Sequence, residues 1–457
     1  MRIRKRVGEH TGRVLVDVSS LCRTEGVMSG LVRVERELAE RAFGELGDRV
    51  VFVFWDPAIG RYRRLRRRTL TRLLGTGLAT VAPQPGEMAA RNDPASRAGW
   101  VAGRYLVGVK NRPEGASWPG WLLLWARRPL LALFATSPDK GRAVKRPWKV
   151  LGSVLPIRPG DVVFYPASDW WAKDVDGWGE ELRRGSARLV VLFHDLIPVS
   201  HPDWFAPGEV DIFTRFWAGA FRIADLAICP GEVSLGHAVD FCEARGFELP
   251  SCEVVPLAAD VAAPAVRYEA LPAGLEPGTY VMCVSTIEPR KGHALLLDAW
   301  SVLIDTGRVS PRDVKLVLVG RRGWMVDDLM ERVEAAEDEG WLLHLEGLED
   351  REVDNLYRHC RFSVYPSSYE GFGLPVVESL AHGRPVLASD APPVVGAAGG
   401  FGTHVKAGSV AAWTKALGCW LEDSAALEAE ARRIAGRPSW TWDDYAQRCY
   451  ELVGSVA

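Results

Sequence analysis

Short apolar runs alternate with amphipathic patterns along most of this chain. Arg13–Val18 and Val50–Trp55 are rich in β-branched and aromatic residues, which predicts buried strands. Leu31–Ala42 instead has apolar residues at helical spacing, which predicts a helix after the first strand. Further strands are predicted at Leu189–Phe193, Ala224–Cys229, Cys252–Pro256, Tyr280–Val284, Lys315–Gly320, Trp341–Glu346, Phe362–Tyr365 and Pro385–Ser389.

Repeated βα units predict an α/β fold in which two Rossmann-like domains, each with a parallel sheet, face a central cleft. We expect a first domain over residues 1–262, a linker at 263–278 and a second domain over 279–438. Residues 439–457 are expected to form a terminal helix that packs back toward the first domain. Ligands of such folds bind beyond the carboxyl ends of the strands.

Charge is distributed unevenly in a chain of otherwise ordinary globular composition. The 457 residues are 47% hydrophobic and 25% charged, with a formal net charge of −2. Residues 51–150, however, contain 19 basic and 5 acidic residues. Such an excess indicates a basic surface that faces an anionic partner; no nucleic-acid partner is expected.

The basic region belongs to an irregular insert at about 57–160. It contains an arginine cluster between Arg61 and Arg72 and the Trp- and Leu-rich run Trp118–Phe134. That run is too short to span a bilayer, but its composition is typical of a segment that lies on anionic lipid. The alternative is a core helix beneath a solvated basic face.

The cysteines and the N-terminus bear on the cellular compartment. Eight cysteines are scattered without metal-ligand spacing, which indicates a reducing compartment and no metal site. Met1–Arg6 is basic, but no apolar stretch of a secretory signal follows. We therefore expect a cytoplasmic protein, peripheral at the inner face of the cytoplasmic membrane if the insert contacts lipid.

The run Tyr369–Glu378 carries the strongest chemical signal. It follows a predicted strand and opens a helix, so the glycine-rich loop Gly371, Phe372, Gly373 and Leu374 would direct backbone N–H groups and a helix N-terminus at an anion. Glu370 and Glu378 flank this loop, and a carboxylate there can accept hydrogen bonds from a diol. The pattern predicts a site for a phosphorylated sugar.

Arg290 and Lys291 lie between another predicted strand and its helix. Two fixed cations in a cleft can neutralise a diphosphate and stabilise its departure. An Arg-Lys pair at a helix start is by itself common on protein surfaces. Its occurrence with the Glu370–Glu378 loop about eighty residues later is what favours a diphosphate site.

Two turns that follow strands are candidates for the nucleotide base region. Gly320 and Arg321 end one strand, and Gly347 and Leu348 follow the next. The glycines permit close approach by a flat ring. Ordinary βα turns explain both segments nearly as well.

The first half offers fewer candidates. His194 and Asp195 end an apolar strand, where the histidine could donate to a sugar hydroxyl and the aspartate could hold its tautomer or contact acceptor hydroxyls; a loop cap is the alternative. Ser29 and Gly30 precede the first long helix and could present its N-terminus to the diphosphate, unless they form an ordinary N-cap.

Taken together, these motifs resemble the retaining glycosyltransferases of family 4, which have the GT-B fold. The second half carries most of the resemblance, and D-V-S-x-L, S-G-L-x-R-V and H-D-L-I-P resemble the branch of bacterial O-antigen and capsule mannosyltransferases. The resemblance implies that Glu370 contacts the donor sugar, Glu378 the ribose, and Arg290 with Lys291 the diphosphate. The Gly371–Leu374 amides would border the sugar and phosphate.

The resemblance further implies an enzyme without metal or other cofactor. It would move a hexose, with GDP-mannose as the first candidate donor, to a hydroxyl of a glycan or polyprenyl-linked acceptor with retention of configuration. Two alternatives stay open on the same fold. One is a nucleotide-sugar epimerase or glycan phosphorylase, and the other is a non-catalytic module that binds a sugar nucleotide.

Overall fold

The computed structural model describes residues 12–23, 30–57, 59–65, 67–74, 151–205, 208–260, 270–310 and 312–456, with backbone alone for a few positions near 67–72 and at 151. Ser29, the run Trp118–Phe134 and part of the linker lie outside these residues. The predictions made for them, and the domain boundaries that depend on the linker, therefore stay predictions.

Eight of the described strands form the first sheet, in the order β4-β3-β2-β1-β5-β6-β7-β8. Their bounds are β1 Val14–Asp17, β2 Val50–Asp56, β3 Arg61–Leu65, β4 Leu151–Val154, β5 Val162–Tyr165, β6 Arg188–Leu192, β7 Leu226–Cys229 and β8 Ser251–Val254.

The first sheet differs from the wholly parallel arrangement that the sequence pattern predicts. β3 runs antiparallel to β2 and to β4. For β2 and β3 the cause is the short connection between Asp56 and Arg61, because a parallel neighbour needs a crossover of about a dozen residues. Three arginines of the basic cluster lie on β3. Two of them have acidic partners: Arg61 lies 3.1 Å from Glu181 and Arg63 2.6 Å from Asp56.

The second sheet is parallel throughout, with its six described strands in the order β11-β10-β9-β12-β13-β14. Its strands are β9 Tyr280–Val284, β10 Lys315–Val319, β11 Leu342–Leu345, β12 Phe362–Tyr365, β13 Val386–Ser389 and β14 Thr403–Val405. β9 and β12 are central neighbours, so the loops that follow them lie side by side. The predicted α/β fold with two sheet domains is confirmed.

Helices connect the strands and cover the sheets. Those of the first half are α1 Ser19–Arg23, α2 Gly30–Leu46, α3 Arg67–Leu74, α4 Val175–Gly185, α5 Ile197–Ser200, α6 Glu209–Ile223 and α7 Glu232–Glu243. Those of the second half are α8 His293–Asp305, α9 Asp327–Asp338, α10 Asp350–His359, α11 Leu374–Ala381, α12 Pro392–Ala398, α13 Val410–Glu422, α14 Ser424–Ala435 and α15 Trp442–Val456.

The last helix, α15, packs on the first domain although it follows the second in sequence. Trp442, Tyr445 and Cys449 are fully buried in the same core as residues of β1 and α2. The Tyr450 hydroxyl donates to the Leu38 carbonyl at 2.7 Å. Apolar spacing along α15 thus links the chain end to helix α2, which borders the cleft.

A buried ion pair anchors the end of β1. Lys173 Nζ lies 2.8 Å from Asp17, and both side chains have no exposed surface. The Tyr62 hydroxyl donates to the same carboxylate at 2.9 Å, and Glu35 of α2 accepts from the Leu21 N–H at 3.0 Å. Because buried charges are stable only with such partners, the Asp17 contacts hold the end of β1 in place, and the Glu35 contact holds α1 against α2.

Candidate active site

The turn that carries Arg290 and Lys291 lies just beyond the carboxyl end of β9. Pro289–Lys291 form one 3-10 turn, followed by Gly292 with φ of +74°. A Cβ atom at Gly292 would lie 2.4 Å from the Pro366 carbonyl oxygen. Only glycine therefore lets this turn contact the end of β12, where the Glu370 loop begins.

Four side chains in the described part of the chain donate to the Glu370 carboxylate. Lys291 Nζ lies 2.5 Å from one oxygen and Arg290 Nη1 2.8 Å from the other. The Ser367 and Tyr365 hydroxyls donate to the first oxygen at 2.6 and 2.7 Å. The predicted diphosphate-binding cations and the predicted sugar-binding carboxylate thus form a single cluster.

The charge state of this cluster follows from its contacts. Burial alone would raise the pKa of the Glu370 carboxyl, but the charges of Lys291 and Arg290 and the hydrogen bonds from Lys291 and Ser367 lower it to about 2. Burial also raises the pKa of Tyr365 well above its usual range, and the nearby Glu370 charge adds to this. Glu370 is an anion and Tyr365 a neutral donor at neutral pH.

Arg290 has capacity to bind a further group. Its Nε lies 3.1 Å from Glu288, and its Nη1 also donates to the Tyr369 carbonyl at 2.9 Å. The Nη2 atom has no hydrogen-bond partner among the described residues, and the side chain is 16% exposed. One edge of the guanidinium therefore remains available to a ligand in the cleft.

The loop after Glu370 is pressed against the first domain. A Cβ atom at Gly371 would lie 2.8 Å from the Asp195 side chain. The Ser234 hydroxyl lies 3.0 Å from the Gly371 carbonyl oxygen and 3.1 Å from that of His194. Gly373, with φ of +119°, then leads into α11. Glycine at position 371 is thus required by close contact between the domains.

Glu378, in α11, is held from both sides of the cleft. Arg33 Nη1 of α2 donates to one carboxylate oxygen at 2.5 Å, and the Tyr357 hydroxyl donates to the other at 3.2 Å. Arg36, one turn further along α2, lies 2.7 Å from Asp350. The predicted ribose-binding carboxylate therefore also joins the two domains.

The structure revises the predicted interaction between His194 and Asp195. The His194 ring hydrogen-bonds to the Pro166 backbone, while Nε2 is buried with no partner among the described residues. Nδ1 therefore donates to the carbonyl and Nε2 is an acceptor, so a sugar hydroxyl would donate to His194 rather than accept from it. Asp195 does not hold the tautomer but accepts from the Ile197 N–H at 3.0 Å.

Desolvation controls both of these titratable groups. It lowers the pKa of His194 to about 4, so the ring is neutral at neutral pH. Burial raises the pKa of Asp195, against the Ile197 hydrogen bond and the Arg290 charge. Because the Arg290 charge acts on the pKa of Asp195, Asp195 lies close to the charge cluster, although it belongs to the first domain.

The remaining predicted residues lie at different distances from the cluster. Gly30 contacts the glycine loop, because a Cβ there would lie 3.3 Å from the Leu374 side chain. Gly320 lies against the backbone of Ser285, where a Cβ would approach the carbonyl oxygen to 2.1 Å, and Arg321 follows it. No hydrogen bond between described residues joins Gly347 or Leu348 to the Arg290 turn.

The described residues offer neither a metal-binding cluster nor a membrane-spanning helix. They contain no group of three or more His, Cys, Asp or Glu side chains suited to a metal ion. Among them there is also no helix with the length and apolar character needed to cross a membrane.

Comparison with known proteins identifies the family. The model of the family described as glycosyl transferases group 1 matches residues 273–437. O-antigen chain mannosyltransferase B of Escherichia coli is 30% identical over 56% of this chain and 68% of its own length. The chain belongs to the group 1 glycosyltransferases.

Other relatives of this glycosyltransferase match a smaller part of the chain or have a lower sequence identity. The serotype-specific mannosyltransferase WbdA of Escherichia coli is 31% identical over 47% of the chain, which spans 27% of WbdA. Anabaena HepE, solved in complex with UDP-glucose, has a TM-score of 0.58 at 16% identity over 97% of this chain and 99% of its own. The HepE similarity shows that the GT-B fold is shared.

Several residues of the glycosyltransferase site are not predicted from the sequence. They are Arg33, Ser234, Tyr357, Tyr365 and Ser367. Arg33 lies inside the S-G-L-x-R-V run, and Tyr365 and Ser367 lie just upstream of Glu370, so position near a motif was an available signal for these three. Ser234 and Tyr357 come from helices α7 and α10 with no such signal.

Substituting Glu370 should lower stability by an amount that depends on pH. Glu370→Gln leaves the buried Lys291 without its anion and Arg290 with only Glu288, so we expect a loss of about 3 kcal/mol in unfolding free energy at pH 7. The folded pKa of about 2 lies below the unfolded value near 4.5. The difference in unfolding free energy between wild type and Glu370→Gln should therefore shrink as pH falls from about 4.5 toward 2. Urea unfolding at a series of pH values measures this difference.

The exposed Glu180 supplies the control for this experiment. Glu180→Gln should leave stability close to wild type at every pH, because its side chain is exposed. A Glu370→Gln deficit that stayed constant from pH 7 to pH 3 would contradict the assigned charge state.

The Arg33–Glu378 contact should be measurable as a coupling between domains. Arg33→Ala and Glu378→Ala, singly and together, form a double-mutant cycle for which we expect about 1 kcal/mol of coupling, since the pair is largely shielded from solvent. The more exposed Arg36–Asp350 pair serves as the matched cycle and should couple less. Additive effects of the two substitutions would show that the contact does not join the domains.

Proposed function

We propose that this glycosyltransferase moves a hexose, mannose as the first candidate, from a nucleoside diphosphate sugar to a hydroxyl of a glycan or lipid-linked acceptor in cell-surface polysaccharide assembly. The observation that carries the proposal is the convergence of Arg290 and Lys291 on Glu370 beside the cleft. The mannosyltransferase relatives in O-antigen synthesis support the substrate class.

In the proposed complex, the donor diphosphate binds the open edge of Arg290 and the ammonium of Lys291. A diphosphate carries more negative charge than one carboxylate, so it can replace part of the Glu370 interaction with these cations. Glu370 then accepts hydrogen bonds from donor-sugar hydroxyls. Glu378 accepts from the ribose diol, and the loops at Gly320 and Gly347 border the base.

The proposed reaction proceeds on one face of the sugar. The bond between the anomeric carbon and the β-phosphate oxygen breaks, and its electron pair stays on the departing nucleoside diphosphate. The acceptor oxygen bonds to the anomeric carbon from the same side, and its proton passes to the departing phosphate, which gives retention. Arg290 and Lys291 stabilise the charge that develops on the leaving group, the role that a divalent ion has in other transferases.

His194 and Asp195 are proposed to orient hydroxyls from the first domain. Nε2 of His194 is a buried acceptor with no partner in the described part of the chain, and a sugar hydroxyl would satisfy it. Asp195, beside Gly371, can accept from a second hydroxyl. The lipid-linked acceptor, the anionic membrane surface and the cytoplasmic location remain expectations from the sequence.

Turnover of donor sugars by an Arg290 variant tests the proposal. We expect wild type to release GDP from GDP-mannose, faster with mannose oligosaccharides present, and to do so in EDTA with an α-linked product seen by NMR. Arg290→Ala should lower kcat/KM about a hundredfold or more, since a transition-state charge partner is lost. UDP-sugars are assayed in parallel to identify the donor.

Arg308→Ala is the control, since Arg308 pairs with Glu422 on the surface. It should retain wild-type turnover. An epimerised donor without nucleotide release would indicate the epimerase alternative. Binding without turnover would indicate the non-catalytic module, and an Arg290→Ala variant with full activity would refute the diphosphate assignment.

A further inference from the structure

Aromatic rings from both domains meet at the cleft beside the charge cluster. We call this group the aromatic seam; its members are His201, Trp204, Phe205, His237, Trp324 and Tyr369. The His201 and Trp204 rings stack with centroids 4.0 Å apart and planes 6° apart. Tyr369 of the second domain meets His201 edge-on at 4.3 Å.

The aromatic seam is continuous with the proposed reaction centre. Tyr369 precedes Glu370 in the chain, and its carbonyl accepts from Arg290 at 2.9 Å. Its hydroxyl lies 3.2 Å from the Ser200 hydroxyl of the first domain. Ser200 ends α5, which begins two residues after Asp195. The seam therefore extends the cleft outward from the atoms that would react.

The rings of the aromatic seam lie outside the hydrophobic cores. Trp204, Phe205 and Tyr369 are partly exposed, and Trp324 is 39% exposed. In contrast, Trp55 and Trp300 are fully buried. A fold that buries tryptophans elsewhere has left these rings accessible, and polar edges of histidine, tyrosine and serine adjoin them.

We propose that the aromatic seam binds a pyranose ring of the acceptor glycan, beyond the sugar whose hydroxyl reacts; this inference rests on the proposed function. A pyranose has apolar C–H groups on its faces and hydroxyls around its rim. The part of the Trp204 ring that His201 does not cover can pack on a C–H face. The Tyr369 ring stands at 73° to Trp204 and can contact the edge of the same sugar, while the imidazoles and the Ser200 hydroxyl can bond to the rim. The donor is not the occupant, because its diphosphate belongs at Arg290 and Lys291.

Binding of trisaccharides, rather than activity, tests this site. Isothermal titration in the presence of GDP or UDP would use linear mannose, glucose and galactose trisaccharides and the matching monosaccharides. We expect at least one trisaccharide to bind more tightly than its monosaccharide. Trp204→Ala should weaken that binding about tenfold, from loss of buried apolar area, with nucleotide affinity unchanged.

Conservative and remote variants complete the design. Trp204→Phe keeps a ring and should retain most of the affinity, and Phe43→Ala removes an exposed aromatic of α2 and should have no effect. The proposal is overturned if wild type binds none of the trisaccharides, or if Trp204→Ala binds them as wild type does. If the protein bound a trisaccharide through Trp204 but bound neither GDP nor UDP, the result would support the aromatic seam and refute the proposed nucleotide-sugar donor.

Discussion

The site depends on two largely buried cations that share one buried carboxylate. Arg290 and Lys291 cannot be held near the end of β9 without an anion, because an uncompensated buried charge costs several kcal/mol. Glu370 supplies an anion for both cations, and Glu288 supplies a second one for Arg290. Ser367 and Tyr365 complete the hydrogen bonds of Glu370. A preformed group of this kind suits a ligand of high negative charge: the cations are already positioned, and little reorganisation accompanies the development of charge on a leaving group.

The second constraint is the close contact of both domains with the loop that follows Glu370. Gly371 lies against Asp195 and Ser234, and Arg33 reaches Glu378 at the far end of the loop. Residues of the first domain thereby border the same space as the charge cluster. This arrangement lets a donor held mainly by the second domain meet an acceptor held by the first, as the proposed transfer requires.

Local features of the fold could be predicted from the sequence, whereas long-range contacts could not. Apolar runs predicted most of the parallel strands, and glycines marked the loop that contains Gly371 and Gly373. The short polar strand β3, R-Y-R-R-L, lacks a continuous apolar run, so its antiparallel pairing was missed. Arg33 and Glu378 are 345 positions apart, and nothing local indicates that they meet. The His194 tautomer is likewise set by a carbonyl 28 positions earlier, in a strand-end loop that only the sheet order brings near.

The most direct test of the central claim is the affinity of the protein for a nucleoside, its monophosphate and its diphosphate, measured by calorimetry with guanosine and uridine series. If Arg290 and Lys291 form a diphosphate site, the diphosphate should bind at least tenfold more tightly than the monophosphate, and Arg290→Ala should abolish most of that difference. Equal affinities for the nucleoside and its diphosphate, or a difference that survives Arg290→Ala, would contradict the account.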